Sequence, residues 1–167
     1  MPEGDVLLHC GDFTRVGAPN EVKAFCTWFG SLPHARKILI AGNHDLSLQK
    51  EGYANRAAAK RTKIRGGAGE ADNVSDQCLQ MIQEIPNCEY LLDSGTSVRG
   101  IQIWGSPWQP YFANWGFNLP RGQPSRDKWA LIPTGTHVVM THGPPLGHGD
   151  RCGDGKRVGC LDLLDEL

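Results

Sequence analysis

Three short apolar runs, each closed by a small polar cluster, constrain this chain more than any other feature. Val6-Leu7-Leu8-His9-Cys10 runs into Gly11-Asp12. Lys37-Ile38-Leu39-Ile40-Ala41 runs into Gly42-Asn43-His44-Asp45. Thr136 to Thr141 runs into His142-Gly143-Pro144-Pro145. Apolar runs of this length, bounded by turn residues, read as buried strands. Between the first two, Val22, Phe25, Cys26 and Phe29 recur at helical spacing, with Pro19 near the start and Gly30 near the end. Strand, helix, strand is a βαβ unit, so these two strands are expected to be parallel with a right-handed crossover.

The rest of the chain reads less cleanly. Leu48 to Gly69 suggests a helix and then a loose glycine-rich loop, with the basic run Arg56 to Arg65 as a solvated face. Ser75 to Ile85 places Cys78, Leu79, Ile82 and Ile85 on one helical face, with Ser75 as N-cap. Glu89–Leu92, Thr96–Val98 and Ile101–Trp104 suggest a meander of short strands. Trp108, Tyr111, Phe112, Trp115 and Phe117 crowd an interval without a clean period, either a satellite apolar cluster or a ligand-contacting loop. Ser125–Leu131 and Val158–Leu167 suggest helices.

Composition narrows the class. At 167 residues and 40% hydrophobic, the chain is one domain, 1–167, with a core. A net charge of -1 gives no support for binding a nucleic-acid polymer or an anionic membrane. No apolar run reaches membrane-spanning length, and Met1 to Asp5 does not read as a signal peptide, so a cytoplasmic protein is expected. The six cysteines form no Cys-x-x-Cys pair and are expected to be reduced, with Cys10 and Cys26 as small buried hydrophobes.

In an open α/β sheet, loops at the strand C-termini converge on one crevice. Asp12, Asn43 and His142 can therefore meet. A carboxylate, an amide oxygen and an imidazole suit Mn²⁺, Fe or Zn²⁺ better than Ca²⁺. Each residue alone has a plainer reading: Asp12 and Asn43 as turn formers, His142 as a hydrogen-bonded histidine at a strand end. Together, each at the end of its own strand, they point to a metal centre. A dinucleotide fingerprint Gly-x-Gly-x-x-Gly after the first strand and a Gly-x-Ser-x-Gly elbow are both absent.

Gly11-Asp12, Gly42-Asn43-His44-Asp45 and His142 resemble the motifs of the calcineurin-like metallophosphoesterases. Gly105 to Pro110, Gly116 to Gly122 and Thr141 to Gly147 further resemble one subgroup, the small metallophosphoesterase-domain-containing proteins of animal brain and their microbial relatives. The resemblance implies an α/β sandwich of two mixed sheets flanked by helices. It also implies two divalent metals about 3.5–4 Å apart that clamp a phosphate and activate a bridging hydroxide. Asp12 would bridge both ions, and Asn43 and His142 would bind the second. His44 would protonate the leaving oxygen, with Asn43 and His44 facing the substrate and Asp45 orienting His44. Mn²⁺ is the expected metal, with Fe or Zn²⁺ as alternatives. The expected substrate is a small-molecule phosphodiester or nucleotide, including cyclic nucleotides.

Two family motifs have no counterpart: an Asp-x-His before Gly11-Asp12 and a Gly-His-x-His after His142. Gly147-His148-Gly149-Asp150 lies too close to His142 and lacks the second histidine. The chain also opens on a strand that parallel sheets normally bury centrally, and stops inside a helix. A domain lacking its first and last strands is expected, binding one metal weakly and without useful hydrolysis. The alternative is a non-catalytic truncated isoform acting as a metal- or nucleotide-binding module.

Overall fold

Residues 3–50 and 68–167 are described by the structure, a computed structural model. The expected helix over 48–69 and its basic run lie largely outside them. The βαβ unit forms as the spacing predicts. Strand β1 (Val6–Cys10), helix α1 (Pro19–Ser31) and strand β2 (Arg36–Ile40) follow one another. The strands pair in parallel from Val6↔Arg36 to Cys10↔Ile40. Helix α2 (Ala68–Gln83) leads to β3 (Cys88–Tyr90), which adds in parallel beside β2.

Strand alternation decides what each side of this sheet meets. Leu39 faces α1 and α2, within a cluster that includes Val22, Phe25, Phe29, Cys78 and Ile82. Ile38 and Ile40 point the other way and pack with Leu91, Ile103 and Met140. Lys37 is buried in β2, and its ammonium donates to the carbonyls of Gly30 (3.3 Å) and Leu32 (3.1 Å). A cation there satisfies acceptors that the end of α1 leaves open.

The second apolar side requires a second sheet. It consists of β4 (Ser94–Val98), β5 (Ile101–Ser106) and β8 (Val138–Thr141), in the order β4-β5-β8. β4 and β5 form a hairpin whose two-residue turn, Arg99-Gly100, has positive φ at both positions, as a tight twisted hairpin requires. β8 runs parallel to β5. Two short strands, β6 (Gln109–Pro110) and β7 (Asn118–Leu119), close the aromatic interval into a loop. Helices α3 (Gln123–Trp129) and α4 (Leu161–Glu166) pack around Trp129, Cys160 and Leu163.

Several expectations change. β3 joins the first sheet while β4 and β5 join the second, so there is no single meander. β8 stands in the second sheet, not beside β1 and β2. Ser75 is a buried residue inside α2 rather than its cap. Among the described residues β1 pairs with β2 alone, at the edge of its sheet, which leaves Leu8 40% exposed and Cys10 exposed rather than buried. All six cysteines are free thiols. No described helix is long and apolar enough to cross a membrane.

Gly105 in β5 lies where the two sheets pack closely. A Cβ there would lie 2.5 Å from Leu91 Cβ and 2.8 Å from Ile40 Cγ2. Gly105→Ala should therefore lower unfolding free energy by about 1–3 kcal/mol through overpacking. Gly153→Ala, where a Cβ meets open space, should stay within about 0.5 kcal/mol of the parent. Urea denaturation of the two variants checks the difference.

Candidate metal centre

Backbone, not side chains, sets how closely the ends of β1 and β2 approach. Gly11 has φ +89°, and a Cβ on it would collide with the backbone of Ala41 and Gly42. A Cβ on Gly42 would collide with the Asp12 amide and Oδ1, and would lie 2.7 Å from His142 Cε1. Only glycine tolerates both demands, the left-handed turn and the close contact. Asp12 itself is left-handed, with φ +58°.

A buried carboxylate fixes this junction. Asp45 Oδ2 accepts from the amides of Asp12 (2.8 Å) and Gly42 (2.7 Å). Its Oδ1 accepts from the Thr14 amide (2.9 Å) and hydroxyl (2.7 Å). The Asp45 carboxyl is raised to about 6: burial drives the rise, the hydrogen bonds from Gly42 and Thr14 oppose it in part, and the Asp12 charge adds to it. The expected contact from Asp45 to His44 does not occur. All four donors belong to the loops instead, because the carboxylate points back beneath the turn.

His44 is oriented by other groups. Its amide donates to Asp12 Oδ1 at 2.9 Å, and its Nδ1 lies 2.8 Å from the Arg15 carbonyl. A carbonyl only accepts, so Nδ1 carries a proton and Nε2 is left facing outward. The Trp115 indole stacks on the ring, with centroids 4.0 Å apart and planes at 20°. Trp115 thus gives the aromatic loop one contact with the site. Trp108 and Phe117 from the same loop turn into the interior, and Tyr111 and Phe112 are exposed. Thr14, Arg15 and Trp115 were invisible as site residues in the sequence; only the aromatic crowding hinted at the last.

His142 reaches this point from the second sheet. Its Nδ1 lies 2.8 Å from the Cys10 carbonyl, and its Nε2 lies 3.4 Å from Asp12 Oδ1. The two atoms form an ion pair when the ring carries a second proton, and otherwise place an imidazole lone pair beside a carboxylate oxygen. Metal-ligating histidines are commonly fixed by a hydrogen bond of this kind at the other nitrogen. Asn43 is buried at the end of β2, and its carbonyl accepts from the Gly116 amide at 2.9 Å, tying the site to the aromatic loop. No group of three or more His, Cys, Asp or Glu side chains is assembled among the described residues; Asp12 and His142 are the pair that meets here. His148 is exposed and takes no part; Asp150 beside it accepts from Gly147, Gly159 and Arg157 and anchors the loop.

Two sheets that bring Asp12 and His142 together from the C-terminal ends of β1 and β8 agree with a comparison across known proteins. The model of the calcineurin-like phosphoesterases matches residues 2–164. The chain belongs to that family. Human metallophosphoesterase domain-containing protein 1 is 47% identical over all of this chain, which covers 51% of that protein. A UPF0046 protein of Caenorhabditis elegans is 42% identical, again over the whole chain and 43% of its own length. The chain thus spans about half the length of the curated relatives it matches. A solved structure with 14% identity superposes at a TM-score of 0.59 over 95% of this chain and 66% of that one, a likeness of fold. The calcineurin-like phosphoesterase fold therefore extends to this chain.

Two outcomes follow for the junction. Asp45→Ala strands three amides and a hydroxyl and should cost at least about 3 kcal/mol of stability, whereas His44→Ala should cost under about 1 kcal/mol; thermal and urea unfolding distinguish them. His9 provides a pH test. Its Nδ1 accepts from the Gly11 amide (3.2 Å) and its ring packs against Phe25 and Phe29. Burial lowers it from 6.5, so folding favours the neutral ring. Its contribution is intact above pH 6.5 and is lost as pH falls through the lowered value. His9→Phe should reduce the acid loss of stability between pH 7.5 and 5, measured by urea midpoints.

Proposed function

We propose that Asp12, Asn43 and His142 hold a divalent metal, Mn²⁺ first with Fe or Zn²⁺ as alternatives, in a phosphodiesterase site for small nucleotide phosphodiesters, cyclic nucleotides included. One observation carries the reading: His142 Nε2 faces Asp12 Oδ1 at 3.4 Å while Nδ1 is held by the Cys10 carbonyl. The donor set is mixed oxygen and nitrogen, which suits those metals. When bound, such ions polarise a phosphoryl oxygen and activate the attacking water.

The chain's own residues then have distinct tasks. Asp12, shared between β1 and the His44 amide, is the candidate to bridge two ions. Asn43 and His44 face the phosphate. His44, with Nδ1–H fixed on Arg15 and one face covered by Trp115, presents Nε2 to the leaving oxygen; the doubly protonated ring gives its Nε2 proton there and is left as the neutral Nδ1–H form. The net charge of -1 favours a small substrate over a nucleic-acid polymer and gives no pull toward a membrane. The proposed compartment is the cytoplasm, which six free thiols suit. A second reading, a metal- or nucleotide-binding module without turnover, draws on the donor count: Asp12 is the one candidate donor to a second ion among the described residues.

Both readings expect one Mn²⁺ per chain by calorimetry. His142→Ala should weaken it at least about tenfold, since even outer-shell losses typically cost 10–100-fold. His44→Ala should leave it within about twofold. Both also expect the 167-residue chain to bind Mn²⁺ without useful turnover of an activated phosphodiester; turnover that His44→Ala abolishes would overturn that expectation and exclude the module. Unchanged Mn²⁺ affinity in His142→Ala would overturn the site.

A further inference from the structure

A groove of about 350 Å³ opens one residue beyond His142, between Gly143 and the aromatic loop. That volume lies near the lower end of the roughly 300–1,000 Å³ typical of ligand sites. Gln109, Tyr111, Phe112, Arg121 and Gly143 line it. Gln109 is 9% exposed, yet its Nε2 is buried with no hydrogen-bond partner. Buried polar groups are nearly always paired, and an exception beside a functional site calls for a missing partner. Gly143 makes room for this side chain: a Cβ on it would lie 3.1 Å from Gln109 Cβ and 3.7 Å from Oε1.

The neighbouring groups describe that partner. Tyr111 and Phe112 are 65% and 60% exposed, on a loop braced where the Phe112 amide donates to Asn118 Oδ1 (3.1 Å) and Asn118 Nδ2 donates to the Trp115 carbonyl (3.1 Å). Rigid exposed aromatics are stacking platforms for planar rings. A carboxamide presents a donor beside an acceptor, the pattern that pairs with a nucleobase edge. Arg121 donates to the Gly159 (2.8 Å) and Val158 (3.0 Å) carbonyls and has no carboxylate partner among the described residues, so the groove keeps a positive charge.

We propose that this groove seats the nucleobase of the substrate, with the Gln109 carboxamide hydrogen-bonding its edge and Tyr111 or Phe112 stacking on its face. The inference rests on the phosphodiesterase reading for its placement beside His142, but base binding itself needs no metal. Gln109 is therefore a specificity-determining residue.

The test uses the full 167-residue chain, metal-free, with adenosine and guanosine as probes and ribose 5-phosphate as the baseless control. The Gln109 side-chain amide signals in a nitrogen–proton correlation spectrum should move with the nucleosides and not with the control. Gln109→Leu, which keeps the shape and removes the unpaired amide, should weaken nucleoside binding about tenfold or more and level any preference between bases. Its melting temperature should equal or exceed the parent's, an outcome that a merely structural role would not give. Phe112→Ala, on the surface, should weaken nucleosides independently. Unmoved Gln109 signals, or nucleoside affinity unchanged in both variants, would overturn the groove. Inorganic phosphate with Mn²⁺ separates the two readings. Phosphate binding without nucleoside binding sinks the groove alone. Nucleoside binding without metal-dependent phosphate binding keeps the groove and sinks the phosphodiesterase.

Discussion

The Asp45 carboxylate joins two loops that would otherwise end independently. It accepts from Asp12, Thr14 and Gly42, and so clamps the ends of β1 and β2 into one unit. Everything at the site depends on that clamp. Asp12 takes a left-handed turn there, and its Oδ1 then receives the His44 amide and faces His142. A buried carboxylate is expensive to desolvate, and its hydrogen bonds offset that penalty only when all are made. The same requirement makes the junction rigid. A rigid junction is what a metal centre needs, because ligand positions must be set before the ion arrives.

The two-sheet architecture does the rest. β1 and β2 deliver Asp12, Asn43 and His44 from one sheet, and β8 delivers His142 from the other. The apolar layer of Ile38, Ile40, Leu91, Ile103 and Met140 sets the distance between them. Close packing fixes that distance to within a methyl group, as Gly105 demonstrates. The Cys10 carbonyl then holds the His142 ring in place across the gap. Core packing and site geometry are thus the same constraint seen from two sides.

Much of this was legible in the strand ends. The apolar runs, the helical spacing of Val22, Phe25 and Phe29, and the polar clusters at the strand ends stated the βαβ unit and the candidate ligands outright. Cys10 misled because an apolar strand read as central lies, among the described residues, at the edge of its sheet. Asp45 misled because a motif position names a residue type, while its partners depend on which way the carboxylate turns. The aromatic interval had no period to read, since Trp108 and Phe117 turn inward, Trp115 covers His44, and Tyr111 and Phe112 stay in solvent.

Local physics explains the division. Hydrophobic alternation, glycine's freedom and helix periodicity act within a few residues, so the sequence alone determined the elements and which residues stand at their ends. Which sheet β8 joins, what Asp45 binds, and how near His142 comes to Asp12 depend on groups up to 132 residues apart, Cys10 and His142 being the widest pair. Only packing of the two sheets against one apolar layer fixes those, because each contact exists only once the others have formed.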